Sequence, residues 1–459
     1  MFGKAHFIDI LTRSIYKMKY SFEKMDMDDL ELVKVIQVNR HGARTGSMKA
    51  KIDVAFGSGC QLTSGGYRQH MHLGKVMRNK YINSGFIDPE KLSTQFEIIT
   101  TKTQRTLYSA IGFANGFIPG AIPSVQFPNN DELKDIKNDD FAPIGDDFKQ
   151  FKNTDLNNKT INIKIIPAKG DTLFHAKNCL LNGVKIGDLI KKEKKKPFKD
   201  VVSEEDMNDK EIMLNLTTIS KAEEANEKNV MKNLLKLTDE EMAAKNKKGK
   251  QKTLKDFAQL IIVQPYHFST DAYDPKILSP DARHLYVKHY IKKKYGNNFF
   301  NDEKYTYILV SHFYQNVIDE FDKAVNGKDD GKKYIVYSSH DGTLLPIMTT
   351  IIERHFLIKK LKEALDNKEA FEFISIPFAS FFSFELYRSK STGKYYIIFY
   401  YNGIMLEKYL RKFDKTEDNV SDDDGIIPYS EFKTLLEIVI DKRYLKLTPS
   451  DDNSEDEGH

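Results

Sequence analysis

The chain has 459 residues, of which 40% are hydrophobic and 12% aromatic, and this composition excludes a mainly disordered protein. Its 70 basic and 66 acidic residues leave a net charge of +4, so there is no overall attraction to nucleic acids or membrane surfaces. No uncharged apolar stretch approaches the roughly 18 residues that a membrane span requires. The length suits two or three domains, or one large domain with an insertion.

The N-terminal segment bears on the expected location of the protein. Residues 1–30 contain no apolar run of about 7 to 15 residues, which a secretory signal requires. We therefore expect a cytoplasmic protein from the sequence as written, whereas a further N-terminal segment would fit a secreted or lysosomal one. We predict that residues 1–29 form an extension to the folded part.

The first half of the chain predicts alternating strands and helices. Residues 32–38 are β-branched and almost continuously apolar, as in a buried strand. Thr63 or Ser64 can cap the helix that follows. The predicted elements, in chain order, are strand 32–38, helix 64–84, strand 97–101, helix 105–116 and strand 161–167. This order indicates an α/β core with parallel strand pairing.

The second half begins with a change of composition. Residues 190–255 are rich in helix-favouring residues and carry two Lys-rich runs, 191–196 and 245–250, which we interpret as solvated helix faces. The chain then returns to the sheet, with predicted helix 305–326, strand 334–337, antiparallel strands 380–387 and 394–401, and helix 429–441. The predicted domains are a core of residues 30–180 and 301–445, a helical insertion or cap of residues 181–300, and a disordered acidic tail of residues 446–459.

A group of side chains suited to phosphate follows the first predicted strand. Arg40, His41 and Arg44 lie at its carboxyl end, where open α/β sheets bind their ligands. Each guanidinium can bind two phosphate oxygens, and an imidazole between them can attack phosphorus. Gly42 lets the backbone turn closely. Taken alone, these residues also suit a strand end with solvated arginines and a structural histidine.

Two later strand ends carry similar groups. His340 and Asp341 follow the strand at 334–337 and would supply a phosphate donor and a proton source, although an ordinary turn also fits this pair. Arg105 opens the helix after strand 97–101, where free N–H groups favour anions, although a surface position also fits it alone. Three anion-directed strand ends in one chain indicate a shared phosphate site.

This combination resembles branch 2 of the histidine phosphatase superfamily, the histidine acid phosphatases. That family is marked by Arg-His-Gly-x-Arg-x-Pro and a distal His-Asp, and Gly46 stands here in place of the proline. Further similar segments begin at Gln61, Arg105 and Pro377. The resemblance covers most of the chain, over residues 32–125, 161–180 and 305–440.

The resemblance implies a phosphoglycerate mutase-like α/β fold, with a mostly parallel sheet, helices on both faces and an inserted, mainly helical smaller domain. It implies that His41 is the nucleophile, forming a phosphohistidine, and that Asp341 is the proton donor. The phosphate-binding residues would be Arg40, Arg44, Arg105 and His340. It implies no cofactor and no metal, a small-molecule phosphate monoester as the partner, no nucleic acid, and an oligomeric state that admits a dimer.

The expected activity has an acidic optimum. Neighbouring arginines should keep His41 unprotonated at low pH, while Asp341 must hold a proton beside the phosphate. The same family also admits an inositol polyphosphate (phytate) phosphatase, a lysophosphatidate phosphatase or a mutase, and the Lys-rich insertion leaves polyphosphorylated ligands open. A catalytically inactive phosphate-binding scaffold would use the same residues.

His70 and His72 form a separate histidine pair. Two residues apart on a helix, they point about 200° from each other and cannot share a metal ion. We interpret them as a surface pair with satisfied hydrogen bonds.

Overall fold

The computed structural model of the chain describes residues 28–44, 60–119, 122–126, 160–166, 280–296, 303–406 and 426–442, with short stretches between 171 and 223 and residues 410 and 445. The N-terminal residues 1–27, Gly46, both Lys-rich runs and the acidic tail lie outside these ranges. Within the predicted insertion, residues 211–216, 221–223 and 280–296 are helical. The domain boundaries stay a prediction.

The described strands form one mixed sheet and a small separate hairpin. In chain order they are β1 (Leu30–Arg40), β2 (Phe96–Thr101), β3 (Ile122–Gln126), β4 (Thr160–Ile166), β5 (Leu180–Leu181), β6 (Val184–Lys185), β7 (Tyr334–Ser339), β8 (Phe381–Ser389), β9 (Tyr395–Tyr401), β10 (Ile404–Met405) and β11 (Ile427–Pro428). The sheet order is β10-β9-β8-β1-β7-β2-β4-β3, with β11 beside β9, while β5 pairs with β6. Within this sheet the neighbouring strands β1, β7, β2, β4 and β3 run parallel to one another. Strands β8, β9, β10 and β11 run antiparallel to the strands with which they pair.

The described helices are α1 (Ser64–Tyr81), α2 (Leu92–Gln95), α3 (Gln104–Phe117), α4 (Pro280–Ile291), α5 (Glu303–Val325), α6 (Asp341–Ile351), α7 (Arg354–Glu363), α8 (Lys368–Ser375) and α9 (Tyr429–Val439). Helix α4 continues as a π-helical turn, Lys292–Gly296. Thr63 caps α1, since its Oγ1 accepts a hydrogen bond from Gly66 N at 3.1 Å. None of the helices in the described ranges is both long and apolar enough to cross a bilayer.

Alternate residues of β1 contribute to two apolar cores on opposite faces of the sheet. Val35 joins a core with Leu73 of α1 and Phe113 of α3. Ile36 and Val38 join the other core, which contains side chains of α5, α6 and α9. Helices therefore cover both faces of the sheet, and the predicted fold class is confirmed.

Candidate active site

The predicted site residues lie at the carboxyl ends of three adjacent strands. Arg40 ends β1 and stands in register with Ser339 at the end of β7, and β2 flanks β7 on its other side. His41 N donates a hydrogen bond to Ser339 O at 2.8 Å. Strand β7 leads into His340 and α6, and β2 leads into α3, which carries Arg105. The parallel order β1-β7-β2 therefore brings three distant segments of the chain together.

Helices α1 and α3 hold the loop that follows His41. Gly42 N donates to Ser109 Oγ at 2.9 Å, and Ala43 N donates to Gln69 Oε1 at 2.8 Å. A Cβ added at Gly66 would lie 2.1 Å from the Ala43 carbonyl oxygen. Only a glycine lets α1 approach the loop this closely, so the loop geometry depends on the first turn of α1.

The contacts of His41 fix its tautomer. The residue is buried, with 3% of its surface exposed. Its Nδ1 lies 2.8 Å from the Gly42 carbonyl oxygen, which can only accept a hydrogen bond, so Nδ1 carries the proton. In the neutral ring the lone pair is then on Nε2, the nitrogen available to attack an electrophile.

The surroundings of His41 favour the neutral ring. Burial lowers its pKa well below the usual range, and the electrostatic effects of Arg105, His340, Arg40 and Arg44 lower it further. Protonation would place a further positive charge beside these cations in a buried site, where little water is present to solvate it. His41 is therefore expected to stay unprotonated in acid, as an attacking nitrogen requires.

The Arg40 guanidinium is buried and held on two sides. Its Nη1 donates to the carbonyl oxygen of Ile376, and its Cζ lies 4.1 Å from the centre of the Phe378 ring. Its Nη2 is 3.9 Å from Asp341 Oδ2, too far for a hydrogen bond. These contacts fix the plane of the guanidinium beside His41 and Asp341.

Arg105 and His340 are in direct contact. Arg105 Nη2 lies 3.4 Å from His340 Nδ1, and His340 Nε2 lies 3.2 Å from Thr101 Oγ1. A guanidinium can only donate, so Nδ1 is the acceptor and Nε2–H donates to the threonine. The rings of His340 and His41 meet edge to face, with centroids 5.5 Å apart. Burial and the charge of Arg44 lower the pKa of Arg105 to about 10, so it is still a cation at neutral pH.

Arg44 completes the group of three arginines. It is 8% exposed, and its backbone forms an isolated bridge with Leu62, which precedes α1. Its positive charge lowers the pKa of both His41 and Arg105. All six residues singled out in the sequence therefore belong to one cluster.

Asp341 is the first residue of α6 and is paired with a lysine that the sequence did not indicate. Lys294 Nζ lies 2.7 Å from Asp341 Oδ2. Burial raises the pKa of Asp341, but the charges of Lys294 and Arg40 outweigh it and hold the pKa well below its usual range. Asp341 is therefore a carboxylate in the ligand-free protein, and it must gain a proton before it can donate one.

The interpretation of His70 as a surface residue is wrong. His70 is fully buried, and its Nε2 donates to the Arg40 carbonyl oxygen at 3.0 Å. Burial lowers its pKa to about 4, although the hydrogen bond to Arg40 opposes the shift. His72 is half-buried, as expected for a residue on a different face of α1. Residues 73 and 77 are apolar and lie on the same side of α1 as position 70. This pattern in the sequence could have predicted that position 70 is buried.

The family model for branch 2 of the histidine phosphatase superfamily matches residues 51–402, well over half of the chain. This protein belongs to branch 2 of the histidine phosphatase superfamily. The matched range contains Arg105, His340 and Asp341, and it begins shortly after Arg40, His41 and Arg44.

An acid phosphatase sequence and several solved phosphatase structures are similar to this chain. A putative acid phosphatase 1 from Caenorhabditis elegans is 37% identical over 101 residues, which span 21% of this chain and 23% of that protein. A multiple inositol polyphosphate phosphatase from Bifidobacterium longum, bound to inositol hexasulfate, aligns with a TM-score of 0.56 at 13% identity, covering 91% of this chain and 94% of that one. A phytase from Hafnia alvei, bound to tartrate, aligns with a TM-score of 0.50 at 12% identity, covering 91% and 98%. The structures share the fold of this histidine phosphatase.

Proposed function

We propose that this protein is an acid phosphatase that hydrolyses phosphate monoesters through a phosphohistidine on His41. The observation that carries the proposal is the state of His41. Its ring is buried and neutral, and its Nε2 has a free lone pair close to three positively charged arginines. A nucleophile that resists protonation beside fixed cations suits attack on a phosphate group in acid.

Binding of the ester would use the cations of the cluster. Arg40, Arg44 and Arg105 would bind the non-bridging phosphate oxygens and neutralise their charge, which is the main contribution a protein makes to phosphoryl transfer. His340 would add a donor once its Nδ1 is protonated and Arg105 turns toward the phosphate. Anchoring of Arg40 by Ile376 O and Phe378 limits the reorganisation that binding requires.

The chemistry would proceed in two displacements. His41 Nε2 forms a bond to phosphorus while the bond to the ester oxygen breaks, and Asp341 gives its proton to that oxygen, so that an alcohol leaves. Water then attacks the phosphohistidine, the Asp341 carboxylate takes the proton of the water, and the nitrogen–phosphorus bond breaks. Free phosphate, neutral His41 and protonated Asp341 result, which balances the hydrolysis.

Turnover of p-nitrophenyl phosphate across pH tests the proposed function. We expect hydrolysis with an acidic optimum in the wild type and no turnover by His41→Ala. His355→Ala is the matched control, since His355 is exposed on α7, and it should keep wild-type activity. Full activity in His41→Ala, or an alkaline optimum, would contradict the assignment, and any turnover excludes an inactive scaffold.

A substrate panel separates the alternatives within the family. Two proteins of similar structure are a phytase and a multiple inositol polyphosphate phosphatase, and the site has a fourth cation in Lys294 beside the three arginines. Phosphate release from simple alkyl and aryl monoesters, phytate and lysophosphatidate should be compared by kcat/KM. A preference for phytate of more than tenfold would assign an inositol polyphosphate phosphatase instead of a general monoesterase.

A further inference from the structure

The ion pair between Lys294 and Asp341 joins the π-helical turn after α4 to the first residue of α6. The two side chains are in hydrogen-bond contact at 2.7 Å, and only 20% of the lysine side chain and 27% of the aspartate side chain are exposed. Ion pairs between fully solvated side chains contribute little, but a partly buried pair changes the protonation behaviour of its members. Lys294 is therefore expected to influence proton donation by Asp341 in the proposed reaction.

The turn that carries Lys294 is fixed to the rest of the site. Its neighbour Tyr295 is fully buried and donates to Ile374 O at 2.6 Å, and Tyr290 donates to Ser375 O at 3.0 Å. The next residue, Ile376, is the one whose carbonyl oxygen accepts from Arg40. π-Helical turns are uncommon and often lie at functional sites. Lys294 thus projects from a backbone held against the segment that also holds Arg40.

Charged and titratable groups approach Asp341 from every element packed around it. They are Arg40 and His41 at the end of β1, Lys294 in the π-helical turn, Arg105 in α3 and His340, which precedes Asp341 in the chain. Arg40 already donates to Ile376 O and lies 3.9 Å from the carboxylate. Lys294 is the cation in hydrogen-bond contact with the carboxylate, whereas the charge of Arg40 would be neutralised by the phosphate of a bound substrate.

We propose, resting on the phosphatase function above, that Lys294 is a positioning residue that orients the Asp341 carboxyl and controls when it takes up a proton. In the free enzyme the lysine keeps the group ionised. Binding of a phosphate ester neutralises the neighbouring arginines, and Asp341 then takes a proton from solvent. When that proton passes to the ester oxygen, the carboxylate forms again beside the Lys294 ammonium, which stabilises it for proton removal from the attacking water.

Replacing the lysine should move the pH dependence of the reaction. After burial, which acts in the opposite direction, Lys294 is the largest influence on the Asp341 pKa and lowers it. An adjacent opposite charge typically lowers a carboxyl pKa by about 1 to 3 units. In Lys294→Met, the alkaline limb of kcat, which reports loss of the Asp341 proton in the complex with the ester, should therefore move upward by about 1 to 3 pH units.

The experiment compares two esters across about pH 3 to 8. β-Glycerophosphate has a poor leaving group that needs the Asp341 proton, whereas p-nitrophenyl phosphate needs it little. Lys294→Met should shift the alkaline limb for β-glycerophosphate and change kcat for p-nitrophenyl phosphate less than threefold. Lys292→Met is the matched control, because Lys292 belongs to the same turn and is exposed; its pH profile should equal that of the wild type.

Each outcome decides the proposal. Equal losses for both esters with an unmoved alkaline limb would show a merely structural lysine and overturn it, as would a wild-type profile in Lys294→Met. If that variant does not fold, Lys294→Gln, which keeps a hydrogen-bond donor without the charge, should give the same shift. A wild-type enzyme that hydrolyses neither ester would instead contradict the phosphatase function itself.

Discussion

At the residue scale, a backbone carbonyl prepares the proposed nucleophile. Gly42 O accepts the Nδ1 proton of His41 at 2.8 Å and leaves the lone pair on Nε2. This arrangement differs from a serine nucleophile, which needs a separate base to remove its proton. The proton transfer that the proposed reaction needs is therefore the one from Asp341 to the leaving oxygen.

Asp341→Asn should separate proton donation from nucleophilic attack. An amide of the same size cannot give a proton to the leaving oxygen, so kcat for β-glycerophosphate should fall by about 10²–10⁴-fold. The fall for p-nitrophenyl phosphate should be much smaller, because its leaving group is stable without a proton. Steady-state kinetics at the optimum pH of the wild type measures both values. Equal losses for the two esters would argue against Asp341 as the donor.

His70 should make the folded protein sensitive to acid. Its pKa is about 4 in the folded chain, compared with about 6.5 when unfolded. Between these values the unfolded chain binds a proton that the folded chain does not, so stability falls as the pH drops from 6.5 to 4. The loss is about 3 kcal/mol, at about 1.4 kcal/mol for each pKa unit.

Urea denaturation at pH 7 and pH 4 measures this effect. His70→Gln, which can still donate to Arg40 O, should lose about 3 kcal/mol less than the wild type over this interval. His72→Gln, at a half-buried position two residues away, should change the interval less. An unchanged difference between the two pH values in His70→Gln would contradict the role given to His70.

The site residues that the sequence predicted share a property that Lys294 lacks. Arg40, His41, Arg105 and His340 each follow a strand whose apolar pattern identifies it, so their meeting point could be predicted from the order of elements. Lys294 stands in a run of three lysines, Lys292–Lys294. Lys294 meets Asp341 on a turn that the buried Tyr295 helps to fix, and no sequence pattern distinguishes position 294 from the two lysines before it.

At the element scale, the amphipathic helices and central strands were predictable and several other elements were not. Helix α6 is apolar on nearly all sides and contains Pro346, so it has no polar face that would reveal a helical period. Strand β3 has five residues, one of them Pro123, which argues against a strand interior. Helix α6 forms despite the low helix propensity of Pro346, because tertiary packing buries nearly all of its residues and overrides local propensity.

A buried charge cluster ties α1 to β8. Glu385 is fully buried and accepts hydrogen bonds from Lys80 at 2.5 Å, Tyr81 at 2.6 Å and Tyr387 at 2.7 Å. Lys80 also lies over the ring of Tyr400, at 4.1 Å from its centre. Removing one member of a buried pair leaves the other charge without its partner and costs about 3–5 kcal/mol.

A double-mutant cycle should show this coupling. We expect Glu385→Leu and Lys80→Met each to lower the free energy of unfolding by about 3–5 kcal/mol. The double variant should lose clearly less than the sum of the two, because neither charge is then left alone. Urea denaturation of the four proteins gives the coupling energy. Additive losses would show that Lys80 and Glu385 do not interact across α1 and β8.

At the scale of the whole molecule, the sequence predicted the α/β class, the covering of both sheet faces and the family. The alternation of strands and helices over residues 32–116 already indicates parallel pairing, and β1, β7 and β2 confirm it. The position of β1 between β7 and β8 could not be predicted, because it depends on contacts with segments about 300 and about 350 residues away in the chain. The extent of the helical insertion stays a prediction.

Trapping the phosphoryl group during turnover decides whether His41 is the covalent nucleophile of the proposed phosphatase. The enzyme is mixed with p-nitrophenyl phosphate, denatured in alkali within the first turnovers, digested, and examined by mass spectrometry. We expect one acid-labile phosphoryl group on His41 and none in His41→Ala. A phosphoryl group on another residue, an acid-stable one, or none at all in an enzyme that turns over the ester would contradict it.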